Sequence, residues 1–216
     1  MMKKRFHWLV VIVGLLMLQA MPAMASYDQG IEYLAIKPPV PTDTKKVQVV
    51  EMFWYGCPHC YHFEPKLVAW LKHLPSDVEF ERVPAVFPNH PLWELHARAY
   101  YTAQLLGVLK KTHEALFDAI HKDHEQLFSE DALANFYAKY GVSKKLFKQT
   151  MHSFGVDMKV DRAKELTRRY GIDGVPTLVI DGKYRTYASL TDGETGMLKV
   201  TDYLIKKEVE LHKHKK

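Results

Sequence analysis

The only two cysteines of this 216-residue chain, Cys57 and Cys60, are separated by Pro58 and His59 in the stretch FWYGCPHCYHFEP. Two cysteines at this spacing can form a structural disulfide, bind a metal or exchange disulfides with other thiols. A disulfide that closes so short a loop constrains the unfolded chain very little. A zinc knuckle needs a second pair of ligands, and the sequence offers no second cysteine pair and no histidine pair in a knuckle context. We therefore favour redox chemistry and expect no metal and no cofactor.

Several features around Cys57 favour its thiolate over its thiol. Cys57 falls where an apolar strand pattern gives way to a helical one, so its sulfur can lie near free backbone N–H groups and the positive end of the helix dipole. Protonated His59 adds positive potential, and Pro58 suits the first turn because its missing N–H would have no helical partner. Cys60 lies one turn deeper on the same face, as a resolving thiol would. The pattern predicts that Cys57 is a good leaving group in disulfide exchange.

A β-α-β unit is predicted around the cysteine pair. The segment VQVVEMFW, at 47–54, is almost continuously apolar and β-branched or aromatic, which is typical of a strand buried on both faces. The helix that starts at Cys57 has apolar residues at helical spacing, and VEFERV at 78–83 predicts the next strand. A further short strand is expected at IEYLAI, 31–36.

A long helical stretch follows, and then the chain returns to sheet. Helical periodicity recurs in five segments, at 90–107, 110–122, 129–141, 143–155 and 156–171. The expected N-caps are Ser129 and Ser143, and the expected helix stops are Gly107, Gly141, Gly155 and Gly171. A strand at 175–181, a turn at Asp181-Gly182 and KYRTYA then predict a hairpin, and a final helix is expected from about Glu194 to Val209.

The first 25 residues have the pattern of a secretory signal peptide. A basic start at 3–5 precedes an apolar run at 8–18 and the small residues Ala23-Met24-Ala25. The apolar run is shorter than the ~20 residues that a membrane-spanning helix needs. We expect cleavage after Ala25, export to the periplasm and a mature chain that does not span a membrane. The formal charge is +5, but three basic residues belong to this leader, so we expect no nucleic-acid partner.

CPHC, the helical stretch and GVPT at 174–177 together resemble the DsbA family of periplasmic thiol:disulfide oxidoreductases, over essentially the whole chain after the leader. Pro-His between the cysteines and Val175 before Pro176 are similar to DsbA rather than to thioredoxin or the isomerases. The resemblance implies an α/β, thioredoxin-like fold whose central mixed sheet is interrupted by an inserted helical domain. It also implies that Pro176 is cis and packs against the cysteine pair, leaving the backbone of Val175 free to bind an extended peptide.

The domain boundaries expected from this pattern are a signal peptide at 1–25, a thioredoxin-like domain at 26–86 and 172–216, and a helical insertion at 87–171. Glu51 lies inside the central strand, where an unpaired carboxylate would be costly. It either faces solvent from an edge position or, as the resemblance implies, is a buried acid beneath the active site that manages protons for Cys60. Arg82 on the next predicted strand is a candidate partner for it.

The function implied by the resemblance is that of a dithiol oxidase, which donates the Cys57–Cys60 disulfide to reduced, unfolded exported proteins through a mixed disulfide. A membrane quinone-linked oxidase of the DsbB type is implied as the partner that restores the disulfide. Two alternatives stay open: a disulfide isomerase or reductase, and a non-enzymatic peptide-binding chaperone. An isomerase of the usual kind would carry an N-terminal dimerisation domain, and residues 26–46 leave no room for one.

Overall fold

The computed structural model describes residues 26–42 and 44–214, so the expected signal peptide lies outside the described residues. Within these described residues there are five strands: β1 (Leu34–Ala35), β2 (Val47–Phe53), β3 (Val78–Pro84), β4 (Thr177–Ile180) and β5 (Tyr184–Thr186). Seven α-helices accompany them: α1 (Pro58–Leu71), α2 (Pro91–Leu105), α3 (Leu109–His121), α4 (Glu130–Ala138), α5 (Lys144–Met151), α6 (Phe154–Arg169) and α7 (Gly193–His214). The five helices α2–α6 separate β3 from β4 along the chain, as the sequence predicts.

The five strands form one mixed sheet in the order β1-β5-β4-β2-β3. β2 pairs with β3 in parallel, as a β-α-β unit requires, and the other pairings are antiparallel. β2 is therefore a central strand, and Glu51 is aligned with Arg82 on one side and Leu178 on the other. The thioredoxin-like α/β fold with a helical interruption is confirmed.

Three predicted element boundaries are wrong. The strand expected at 31–36 is reduced to β1, because the chain turns at Gly30, whose φ is +94° and whose N–H donates to the Tyr33 carbonyl at 2.7 Å. Gly155 does not stop a helix: Ser153 caps α6 through its hydroxyl, and Gly155 lies in the first turn of that helix. The last helix runs to His214, beyond the expected end, and His212 Nε2 lies 2.9 Å from Asp181 Oδ2.

The hairpin between β4 and β5 turns at Asp181-Gly182, as predicted. Both residues are in the left-handed region, with φ of 52° and 61°, which matches the twist of a two-residue hairpin. A Cβ on residue 182 would collide with the carbonyl oxygen of Val40. Glycine is thus required here both by its backbone angle and by the close approach of another chain segment.

The sheet is covered on both sides. One apolar cluster joins β2 and β4 to α1 and α7, through side chains that include Val49, Phe63, Leu67, Leu178 and Val200. The other joins the sheet to the helices of the insertion, through side chains that include Met52, Phe53, Tyr100, Leu116 and Phe117. The central strand is held from both faces, which fixes the position of the chain end that carries the cysteines. None of the helices in the described part of the chain combines the length and apolarity of a membrane span.

Candidate active site

The cysteine pair lies at the junction of β2 and α1. Cys57 is the N-cap residue of α1, with φ −90° and ψ 116°, and its N–H donates to the carbonyl of Trp54 at 3.0 Å. Pro58 occupies the first turn, where a missing N–H costs nothing. Gly56 is tightly enclosed, since a Cβ there would collide with the indole of Trp54. The predicted placement of the pair at a strand-to-helix junction is confirmed.

The two thiols differ in environment. Both are reduced; 8% of Cys57 is exposed, whereas Cys60 is fully buried. A hydrogen bond from the Cys60 thiol is the main factor that lowers the pKa of Cys57 to about 6, and the backbone N–H groups of Cys60 and His59 add to it. Burial, followed by the hydrogen bond to Cys57, holds the pKa of Cys60 well above its usual range. Cys57 is therefore the thiolate and Cys60 the thiol of the reduced pair.

His59 contributes less to this asymmetry than the sequence argument assigned to it. Its positive charge lowers the pKa of Cys57, but the hydrogen bonds from Cys60 and from the helix N-terminus contribute more. The imidazole is exposed and lines a cavity beside Pro176. The free N–H groups at the start of α1, which the sequence also predicts, are the larger effect.

The GVPT segment lies against the cysteines, although it is more than a hundred residues away in sequence. The Val175–Pro176 peptide bond is cis, as expected. The sulfur of Cys57 lies 3.4 Å from the carbonyl oxygen of Val175. Thr177 begins β4, and its hydroxyl donates to the carbonyl of Gly174 at 2.8 Å, which closes the turn before the strand.

Two cavities flank this contact. The first, of about 460 Å³, lies beside the cis proline and is lined by His59, Pro176, Tyr187 and Ala188, among others. The second, of about 390 Å³, contains Cys57 itself and is bounded by Trp54, Phe87 and Trp93. The two share residues 173–175, so the backbone of Val175 forms the ridge between them. An extended chain that crosses this ridge would contact the sulfur of Cys57.

Glu51 is buried, 1% exposed, so it does not face solvent from a sheet edge. Burial raises its pKa to about 8; the charge of Arg82 opposes this and that of Glu64 adds to it. Arg82 Nε lies 3.0 Å from Glu51 Oε2, although its N–H is not aligned for a hydrogen bond. The predicted pairing with Arg82 is confirmed as an ion-pair contact. The negative charge of Glu51 in turn raises the pKa of Cys60.

Three residues of this buried group are not predicted from the sequence. Glu64 Oε1 accepts a hydrogen bond from Arg82 Nη2 at 2.7 Å and lies 3.7 Å from His113 Nε2. His113 Nδ1 is 2.8 Å from the hydroxyl of Tyr55. Helical spacing could have revealed Glu64, which lies four residues after Cys60 on the same face of α1. Nothing in the sequence pairs His113, in the insertion, with Tyr55.

The chain is similar in sequence to proteins of one family. A family model for the DSBA-like thioredoxin domain matches residues 63–204. Thiol:disulfide interchange protein DsbA of Pseudomonas aeruginosa is 43% identical over 204 residues, which cover 89% of this chain and 96% of that protein. The protein of the same name from Burkholderia cepacia is 40% identical over 207 residues, covering 95% and 97%.

Solved structures of DsbA proteins also match this chain. The crystal structure of Pseudomonas aeruginosa DsbA matches with a TM-score of 0.81 at 43% identity, covering 87% of this chain and 97% of that one. The oxidoreductase DsbA of Xylella fastidiosa matches with a TM-score of 0.79 at 36% identity, covering 85% and 98%. The similarity extends through the sheet and the inserted helices alike.

Proposed function

Because the chain belongs to the DsbA family of thiol:disulfide oxidoreductases, we propose that it is a dithiol oxidase whose Cys57–Cys60 disulfide passes to reduced, unfolded exported proteins. The observation that carries this direction is the asymmetry of the two thiols: the pKa of Cys57 is lowered to about 6, and that of Cys60 is raised. Stabilising the Cys57 thiolate stabilises the reduced protein, and a stable reduced form makes the disulfide a stronger oxidant.

The reaction proceeds in two exchanges. A substrate thiolate attacks the sulfur of Cys57; the Cys57–Cys60 bond breaks, and Cys60 departs with the electron pair and takes up a proton. A second substrate thiolate then attacks the substrate sulfur of the mixed disulfide and releases Cys57 as a thiolate. The substrate is oxidised by two electrons and the protein is reduced by two. A leaving group of low pKa departs faster, so the second exchange benefits from the environment of Cys57.

Val175 and Pro176 form the substrate-binding ridge in this proposal. The carbonyl of Val175 lies within 3.4 Å of the reacting sulfur, and β4 begins only at Thr177. A substrate segment that pairs with the backbone there would present its own sulfur to Cys57, and main-chain pairing would accept many sequences. The adjacent cavity beside His59 and Tyr187 supports this role, since it can take a substrate side chain.

Glu51 is proposed to manage the proton of Cys60. Its pKa of about 8 allows it to gain or lose a proton near neutral pH, and its charge acts on Cys60. Pro58 and His59 are proposed to complete the catalytic motif, with Pro58 shaping the first turn of α1 and His59 adding positive potential. Glu64 holds Arg82 through a hydrogen bond, and Arg82 in turn positions Glu51.

The cellular setting is proposed from the family and from the leader pattern. Residues 1–25 would direct export and be removed, which would place the enzyme in the periplasm. The proposed domains are residues 26–86 with 172–216, and the insertion at 87–171. Turnover requires an oxidant for the Cys57–Cys60 dithiol, and a membrane quinone-linked oxidase of the DsbB type would supply it.

The test is the oxidative refolding of a reduced, disulfide-containing protein. The oxidised enzyme should restore the substrate's activity stoichiometrically, and Cys57→Ala should abolish this. Cys60→Ala is the matched variant, because it keeps the Cys57 thiol but cannot form the disulfide that is donated. It should also fail to oxidise the substrate, and when it is given a disulfide-bonded peptide its Cys57 thiolate should attack that bond, release one peptide thiolate and hold the other half as a mixed disulfide. Refolding that survives Cys57→Ala would identify a chaperone instead. A reduction potential near that of thioredoxin, about −270 mV, with rapid reduction of insulin, would identify a reductase.

A further inference from the structure

A third cavity, of about 780 Å³, extends the site away from the cis proline. It lies between the loop that follows β3 and the C-terminal end of α6. Its floor is formed by the buried residues Val86, Thr167 and Ile172, and its rim includes Phe87 and Pro91. The residues assigned a role in disulfide exchange do not line it.

This cavity adjoins the cavity that contains the reacting sulfur. Phe87 and His90 line both it and the smaller cavity that contains Cys57. The shared wall is aromatic and ordered by packing, since Phe87 meets Trp93 edge to face at 4.8 Å and Trp93 stacks on Trp54 at 4.3 Å. A polypeptide that reacts at Cys57 can therefore enter the large cavity without leaving the protein surface.

The charged side chains on the rim of this cavity differ in whether they have an ion-pair partner. Lys164 is paired with Glu94 at 3.1 Å, and Glu165 with Arg169 at 3.2 Å. Arg168, which lines the cavity and is exposed, has no carboxylate within ion-pair distance among the residues that the structure describes. The cavity thus combines an apolar floor with one cation that no described carboxylate neutralises, and an anionic group would complement it.

We propose that this cavity is a substrate subsite, which binds an apolar side chain of the unfolded substrate a few residues from its reactive cysteine and prefers an acidic residue beside it, next to Arg168. The inference rests on the proposed function. An extended chain advances about 3.3–3.6 Å per residue, so a few residues carry a substrate from Cys57 into the cavity. The subsite would give the enzyme a preference among unfolded chains that pairing with the backbone of Val175 alone cannot give.

The test uses short reduced peptides that contain one cysteine and a Leu-Glu pair moved stepwise along either side of it. The rate constant for formation of the mixed disulfide with the oxidised enzyme is measured for each. We expect one side and a narrow range of distances to react fastest, and replacement of Leu by Ser or of Glu by Lys there to slow the reaction about threefold or more. Rates independent of the position and identity of the pair would overturn the proposal.

The protein variant is Arg168→Glu, with Lys145→Glu on the exposed surface of α5 as the matched charge control. Arg168→Glu should slow the Leu-Glu peptide about threefold or more and accelerate the Leu-Lys peptide, whereas Lys145→Glu should change neither. Equal effects of the two variants would refute the subsite. Mercaptoethanol, which is uncharged and too small to reach the cavity, should react with all three proteins alike. Loss of that reaction in the wild type would instead be a failure of the proposed function.

A second copy of the chain is the rival occupant, and sedimentation tests it. The wild type and Arg168→Glu should both sediment as monomers at the concentrations of the kinetic assay. A wild-type dimer that Arg168→Glu dissociates would assign the cavity to self-association and contradict the subsite.

Discussion

The reduction potential of the Cys57–Cys60 couple should change its dependence on pH near pH 6. The pKa of Cys57 is about 6, whereas that of Cys60 is raised. Below about pH 6, reduction of the disulfide therefore takes up two protons, one on each sulfur. Above it, Cys57 remains a thiolate and only Cys60 takes up a proton. Each proton changes the potential by about 30 mV per pH unit, so the slope should fall from about 60 to about 30 mV per unit.

The pKa of Cys57 also gives the amount by which its ionisation changes the reduction potential at pH 7. A pKa of about 6 for Cys57 lies about one unit below pH 7, and one unit corresponds to about 1.4 kcal/mol or about 30 mV for a two-electron couple. The ordinary pKa of a cysteine, 9.0, would contribute almost nothing at that pH. Environment alone should thus make the couple more oxidising by about 30 mV at pH 7.

The lowered pKa of Cys57 also makes the stability of the reduced protein depend on pH. The pKa of Cys57 is lower in the folded protein than in the unfolded one, so its contribution is complete above the unfolded value of 9.0 and is lost as pH falls through about 6. Reduced protein should become more stable relative to oxidised protein as pH rises across this interval.

The assay is equilibration with a thiol of known potential across this pH range, with the oxidised fraction followed by tryptophan fluorescence and checked by thiol trapping. Thiolate absorbance of the reduced protein gives the pKa of Cys57 independently. A slope that stays near 60 mV per unit up to about pH 8 would refute the ionised Cys57 and, with it, the explanation of its oxidising power.

Three further predictions concern His59, Glu51 and Gly182. His59→Ser should raise the pKa of Cys57 by less than about one unit and lower the reduction potential by less than about 30 mV, because hydrogen bonds lower that pKa more than the charge of His59 does. An unchanged potential in a glutathione equilibrium would show that His59 has no such role. Glu51→Gln should stabilise oxidised protein at about pH 8 relative to about pH 5 by about 3–4 kcal/mol, since the raised pKa of Glu51 makes its ionisation destabilise the fold as pH rises. Urea unfolding that shows the wild-type pH dependence would contradict this. Gly182→Ala should cost about 3 kcal/mol of unfolding free energy through its left-handed backbone and the collision with a carbonyl, and thermal unfolding like that of the wild type would be the contrary result.

The sequence predicts the position of the cysteine pair well, because that position depends on local secondary structure. Cys57 at a helix start is a consequence of neighbouring residues, and the link to Pro176 followed from the resemblance to a family. Interactions between distant segments are a different matter. His113 reaches Tyr55 only after α3 packs on the sheet, and no period or spacing encodes that contact.

The boundaries that failed have local physical causes of their own. Gly155 is a residue type that often ends helices. Here, however, the hydroxyl of Ser153, two residues earlier, caps the start of a new helix that includes Gly155. The cavity beside Ile172 was likewise unpredictable, since its walls come from segments about eighty residues apart and its shape depends on how α6 lies against the loop after β3. Composition sets what each wall is made of, and packing decides whether a space remains.

The contact between Cys57 and Val175 has a consequence for how the molecule is made. These residues are 118 positions apart, and β2 gains its partner β4 only when almost the whole chain is available. A chain exported from its N-terminus, as proposed for this one, would expose both cysteines long before the segment that completes the active site arrives. Closing so long a loop is also the slow step expected of non-local pairing. The unfinished protein is thus itself a reduced, unfolded chain with two thiols, and a finished copy would encounter it as it encounters any other client.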